Sequence, residues 1–152
     1  MENLYQDALK AHYKSPIGFN REISVSHQSD GYNASCGDEI SLFLQIDANN
    51  TIVDIAFKAD CCAICTASAS ILCQLSTNSN LATLNSCHQY LKQQLNNQAG
   101  ENITQIDITE FECLLPVANH PSRINCALLP WQTAIAAINT PIDFEQTVLT
   151  NA

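Results

Sequence analysis

The chain is short of charge, and most of what it has is of one sign: Asp, Glu, Lys and Arg make up 14% of its 152 residues, six basic against fifteen acidic. The formal charge of −9 repels phosphate backbones and anionic lipid, which argues against nucleic acid and membrane surfaces as partners. No apolar run approaches membrane-spanning length. There is no internal repeat and no low-complexity segment. The opening Met1-Glu2-Asn3-Leu4-Tyr5 has no basic region followed by an apolar stretch, so no secretory signal is expected and the compartment is expected to be cytoplasmic. What is present is an apolar content of 46%, enough for one compact core spanning residues 1–152 as a single domain. The eight cysteines are expected to be thiols rather than disulfides in that compartment. The acidic balance serves solubility or steers the protein to a basic patch on another protein, and composition does not choose between them.

Leu4, Tyr5, Ala8, Leu9, His12 and Tyr13 recur at helical spacing and predict an amphipathic helix that stops before Ser15-Pro16-Ile17-Gly18. Residues 22–28 are β-prone, Ile40, Leu42, Leu44 and Ile46 alternate with more polar positions, and Asp47-Ala48-Asn49-Asn50 is a turn before Ile52 to Phe57. These predict a three-stranded antiparallel meander. From Ala63 the residues become small and apolar up to a turn signal at Ser76-Thr77-Asn78-Ser79-Asn80, which predicts a closely packed helix with Cys62 at its mouth. Leu81, Leu84, His88, Leu91 and Leu95 predict another helix, followed by a polar loop from Asn96 to Asn102. Pro121 is placed to open a helix carrying Cys126, and Pro130 removes the N–H that would bond the carbonyl of Cys126. A kink or restart is therefore expected at Pro130, with Trp131 to Ile138 as the final helix. Strands first and helices after give an α+β class, a small antiparallel three-stranded sheet packed against several helices.

Three widely separated thiols stand where chemistry is more plausible than packing. Cys36 lies in Ala34-Ser35-Cys36-Gly37-Asp38, a turn with a carboxylate two residues on; Cys62 opens a helix; Cys126 follows a Pro-marked helix start. Gly37 supplies a bend, alternate extended residues share a face, and Cys36 and Asp38 can therefore point to one side. Zinc accepts sulfur and carboxylate oxygen, so Cys36, Asp38, Cys62 and Cys126 suffice for a tetrahedron. A helix N-terminus favours the Cys62 thiolate. Isolated cysteines are nevertheless a weaker metal signature than paired Cys-x-x-Cys, and eight buried, reduced thiols acting as small apolar side chains are the competing reading.

The ordered set Leu4-Tyr5, His12-Tyr13-Lys14-Ser15-Pro16, Cys36-Gly37-Asp38, Phe57, Cys62-Ala63-Ile64, Ala67-Ser68-Ala69-Ser70, Arg123-Ile124-Asn125-Cys126-Ala127 and Trp131 resembles the IscU/NifU-type iron–sulfur cluster assembly family. The resemblance runs from Leu4 to about Ile138. The 63 residues between Cys62 and Cys126, lengthened over about Asn97 to Glu112, are similar to its SufU-like branch. That branch implies Zn2+ on Cys36, Asp38, Cys62 and Cys126, with Cys36 accepting persulfide sulfur from a SufS-like cysteine desulfurase. It would be a sulfurtransferase-like accessory serving downstream iron–sulfur assembly proteins or apoproteins. The IscU-like alternative is a scaffold holding a [2Fe-2S] cluster on Cys36, Cys62 and Cys126 and passing it to apoproteins. A third reading keeps the fold and a structural zinc without sulfur transfer. Asn125 departs from the pattern: IscU-like proteins carry His there and SufU-like ones usually a basic residue. Cys61 and Cys65 replace Gly and Ser.

Cys65 lies one helical turn beyond Cys62 and can face the same site, so Cys61 and Cys65 are alternative sulfur stations, metal ligands or incidental small residues. Cys73, Cys87 and Cys113 fall on apolar-compatible positions and read as core. His12 reads as a packed or capping histidine. His120 is either a loop residue or a neighbour of the site; Arg123 either holds a thiolate or persulfide or makes a surface salt bridge; and Asp60 would raise the pKa values of the thiols beside it.

Overall fold

The computed structural model describes residues 2–98 and 108–142. Its elements are α1 (Glu2–Lys14), β1 (His27–Asn33), β2 (Asp38–Ile46), β3 (Thr51–Asp60), α2 (Ala63–Ser76), β4 (Ser79–Asn80), α3 (Leu81–Leu95) and α4 (Pro121–Ile138). Two 3-10 turns, Ile108–Phe111 and Leu115–Asn119, precede α4. None of the described helices is long and apolar enough to cross a membrane.

The sheet is antiparallel in the order β1-β2-β3-β4. The alternation in β2 works as expected: Asp38, Ile40, Leu42 and Leu44 are buried on one face. At the β2–β3 turn the Asp47 carboxylate accepts N–H bonds from Asn49 and Thr51, both at 2.9 Å, while Asn50 takes the left-handed conformation at φ 60°.

Three expectations need correction. The first strand is His27–Asn33 instead of residues 22–28. Its sequence, His27-Gln28-Ser29-Asp30-Gly31-Tyr32-Asn33, is too polar to read as β, but it pairs residue for residue with β2, from His27 opposite Leu44 to Asn33 opposite Asp38. Hydrogen bonding to a partner strand outweighs the propensity of Ile23 and Val25. Gly31 on this strand lies under α4, where a Cβ would stand 2.0 Å from Thr133 Oγ1, so the close approach requires glycine. The second correction is a fourth strand: Ser79 and Asn80, expected as turn, pair with Ile52 and Thr51. Two residues show no periodicity to read.

The third concerns Pro130. Helix α4 runs from Pro121 through Pro130 to Ile138, so Cys126 sits inside a helix and not beside a break. An interior proline costs about 3 kcal/mol. Against that, α4 packs on β1, β2, α2 and α3 with Leu128, Leu129, Trp131, Ala134 and Ala137 buried, and each large side chain contributes roughly 1.5–3 kcal/mol. Tertiary packing wins.

Other expectations hold. Helix α2 starts at Ala63 with Cys62 as its N-cap residue, Asn80 caps α3 by accepting the Thr83 N–H at 2.7 Å, and Pro121 opens α4. The small residues of α2 permit close contact with α4, where Ser68 Oγ donates to the Ala127 carbonyl and accepts from Trp131 Nε1 at 3.1 Å. Cys73, Cys87 and Cys113 are buried, and burial pushes their thiols up to about 12, 12 and 11, respectively, as expected of core residues. The polar loop expected over Asn96–Asn102 and the added Asn97–Glu112 stretch fall partly outside the described residues; their described end, at Phe111, packs 5.5 Å from Tyr90 and 5.4 Å from Trp131 between ring centroids.

On α3, His88 is 8% exposed and neither ring nitrogen has a hydrogen-bond partner among the described residues. Burial, then the charge of Lys92, hold its pKa below the ordinary value. Between that lowered value and about 6.5 the unfolded chain binds a proton that the folded one refuses, so stability is complete above about pH 6.5 and declines as the pH falls below it. Thermal unfolding at pH 8 and pH 5 is expected to show a larger drop in Tm for the native chain than for His88→Leu; equal drops would refute the role of His88.

Candidate metal centre

Three separate elements converge on Asp38. The carboxylate stands at the first position of β2, fully buried, opposite Asn33 at the end of β1. Residues 34–37 connect the two, and Gly37 makes the bend at φ 69°, a conformation that favours glycine. Cys36 lies half-buried on this loop. The chain leaving β3 at Asp60 delivers Cys62 to the mouth of α2, and its N–H donates to Asp38 Oδ1 at 2.8 Å. From α4, Cys126 enters fully buried, with its Sγ 3.1 Å from Cys36 Sγ.

The ligand atoms of Cys36, Asp38 and Cys126 all lie within 4.8 Å of one another. Cys62 adjoins this trio through Asp38, its Sγ 3.9 Å from Asp38 Oδ2, without joining the set of mutually close donors. Tetrahedral zinc with Zn–S bonds of about 2.3 Å holds its sulfurs roughly 3.7 Å apart. The donors present fit such an ion: soft sulfurs with one hard oxygen, at spacings that small side-chain rotations reconcile. A second set, Asp38, Cys61 and Cys65, likewise has its ligand atoms within 4.8 Å of one another. Cys65 therefore faces the centre, as its spacing from Cys62 suggested.

Burial pushes Asp38 up, but the Cys62 N–H and the hydrogen bonds from Cys126, Cys62 and Asn33 outweigh it, and the carboxyl ends below its ordinary value. Burial, followed by the hydrogen bonds with Cys36 and Asp38, drives the Cys126 thiol upward. Cys61 is lowered, chiefly by its hydrogen bond with Cys65, whose own thiol is raised by the same bond. Asp60 opposes the lowering of Cys61, as expected, but does not prevail.

Arg123 is exposed one turn before Cys126, and its Nη1 stands 3.8 Å from Cys36 Sγ. Among the described residues it is a thiol partner instead of a salt-bridge partner, and the nearby sulfurs, Cys126 first, favour its charged form. Asn125 is exposed. His120 is exposed at the start of α4 and belongs to neither donor set among the described residues. His12 is packed away from the centre, its Nδ1 2.7 Å from Ser70 Oγ and its Nε2 3.8 Å from a Glu110 oxygen.

Sequence reasoning missed Asn33. It is 8% exposed, its Nδ2 lies 3.3 Å from Asp38 Oδ2 and 3.6 Å from Cys126 Sγ, and its Oδ1 accepts the Ser35 N–H at 3.3 Å. Correct placement of β1 would have paired it with Asp38.

The zinc-dependent sulfurtransferase SufU of Bacillus subtilis is 31% identical to this chain over 135 residues, covering 87% of each. The iron–sulfur cluster assembly scaffold protein IscU of Streptococcus pyogenes serotype M1 is 30% identical over 138 residues, 91% of this chain and 84% of that one. The crystal structure of an iron–sulfur cluster assembly scaffold protein for the SUF system from Fervidobacterium islandicum AW-1 superimposes with a TM-score of 0.75 at 24% identity, covering 90% of this chain and 98% of that one, and supports the fold. The NifU-like N-terminal domain matches residues 4–141, so that the sheet, all three elements that meet at Asp38 and the thiols they carry lie within it: the chain belongs to the NifU-like N-terminal domain family.

Proposed function

We propose that the protein is a zinc-dependent sulfur acceptor of iron–sulfur cluster assembly in the cytoplasm, taking persulfide sulfur from a SufS-like cysteine desulfurase. The observation that carries this reading is the asymmetry of the trio: Asp38 and Cys126 are fully buried, whereas Cys36 is half-exposed on a glycine-containing loop with a guanidinium 3.8 Å from its sulfur. The relative named a zinc-dependent sulfurtransferase supports it.

Cys36, Asp38, Cys62 and Cys126 would hold the zinc, which keeps bound sulfurs as thiolates at neutral pH. Cys36 is the nucleophile. Its thiolate attacks the outer sulfur of the donor persulfide; a new S–S bond forms on Cys36, the donor's S–S bond breaks, and the inner sulfur of the donor cysteine leaves with the electron pair as a thiolate. Arg123 offers its positive charge to the Cys36 sulfur before and after transfer, a role that Asn125, uncharged and exposed, does not fill. Asn33 holds Asp38 and Cys126 in place while Cys36 reacts.

Elemental analysis of the purified protein is the test. Zinc is expected at one ion per chain or more, falling by about one ion in each of Cys36→Ala, Cys62→Ala and Cys126→Ala and by at least one in Asp38→Ala. Zinc content unchanged in Cys36→Ala and Cys126→Ala would overturn the reading, as would iron with acid-labile sulfide in place of zinc, which would instead identify a [2Fe-2S] scaffold.

A further inference from the structure

We propose that Asp38, Cys61 and Cys65 form a second binding site for a thiophilic divalent cation of the zinc and cadmium class, adjoining the first and sharing its carboxylate. Cys61 follows the last residue of β3, and Cys65 lies in the first turn of α2. The strand-to-helix corner thus folds the two sulfurs back toward Asp38, and all three ligand atoms lie within 4.8 Å of one another.

The chemistry of the donors favours an ion over a mere pair of packed thiols. Two cysteine sulfurs, once deprotonated, offset both charges of a dication, so the second ion adds no net charge to a buried centre. An ionised carboxylate has two oxygens and about four lone-pair positions, enough for Asp38 to serve both sets. The free N–H groups at the start of α2 favour negative sulfur there, and Thr66 Oγ1, 3.3 Å from Cys61 Sγ, can donate to a thiolate. Cys61 is half-buried and gives access, while Cys65 is fully buried and fixes position. Three protein donors leave a fourth position for water or a thiol, the arrangement of an exchangeable site rather than a closed structural one.

The site rests on the proposed zinc centre only through Asp38, and its test separates the two. Metal-free, reduced protein is titrated anaerobically with Cd2+, reading thiolate-to-metal charge-transfer absorption and bound cadmium by elemental analysis. The native chain is expected to saturate at two ions. Cys61→Ser/Cys65→Ser should bind one, with the absorption of two thiolates missing, and Cys36→Ala/Cys126→Ala should keep one on the second set. Saturation of the native chain at a single ion would overturn the proposal without recourse to any variant, as would a stoichiometry of two that survives in Cys61→Ser/Cys65→Ser. If Cys61→Ser/Cys65→Ser loses an ion and Cys36→Ala/Cys126→Ala loses none, the second site stands and the first falls.

Discussion

A chain carrying Cys36→Ala is expected to take up no sulfur above background from a cysteine desulfurase supplied with free cysteine. The two other sulfurs assigned to the proposed zinc centre do not replace it. Cys126 is fully buried, with no open approach for a sulfur carried on another protein. Cys62 is tied through its own N–H to Asp38, with its sulfur beside the same carboxylate. Transfer requires both a thiolate and an open line of approach to the donor sulfur, and Cys36 joins partial exposure to a neighbouring cation. Intact-mass measurement, which counts sulfur atoms added per chain, checks the expectation. Cys36→Ala gaining sulfur at the native rate would remove Cys36 from the acceptor role and leave the metal centre untouched.

The largest loss of stability is expected from Trp131→Ala, about 3–5 kcal/mol, against a total of roughly 5–15 kcal/mol for a domain of this kind. Trp131 is fully buried, stacks at a tilt on Phe111 with 5.4 Å between ring centroids, and donates its indole N–H to Ser68 Oγ. Truncation removes the ring, opens a cavity and takes a partner from Ser68. The same hydroxyl bonds the carbonyl of Ala127, the residue after Cys126, so the damage falls on the joint between the helices that carry Cys62 and Cys126. Urea denaturation measures it, with Trp131→Phe expected to lose less because most of the volume stays. A loss under about 1 kcal/mol for Trp131→Ala would mean that the α2–α4 joint does not depend on the indole.

Much of the centre could be read before any fold was known because its parts are chemically conspicuous. A cysteine two residues from an aspartate across a glycine, a cysteine at the start of a small-residue helix and a cysteine beyond a helix-opening proline each announce themselves locally, and the structure brings Cys36, Asp38 and Cys126 together with Cys62 adjoining. What was not legible depends on partners distant in sequence. The polar strand β1 exists because β2 pairs with it, and Asn33 is a neighbour of Asp38 only through that pairing. Pro130 stays helical because of the surfaces α4 covers, a term larger than the missing hydrogen bond. That Cys61 and Cys65 share Asp38 follows from the corner between β3 and α2, whose angle no local pattern records.

The pairing of Asn33 with Asp38 has a mechanical consequence. It pins both ends of residues 34–37 to the sheet, one by the last rung between β1 and β2 and the other by a buried carboxylate that also grips α2. Cys36 therefore rides on a short tether with fixed anchors. Rotation about its own side-chain bond is enough to turn the sulfur outward without disturbing the ladder, Asp38 or Cys126. A payload can be received at the end of such a tether and brought back to the same seat, because nothing that defines the seat has moved.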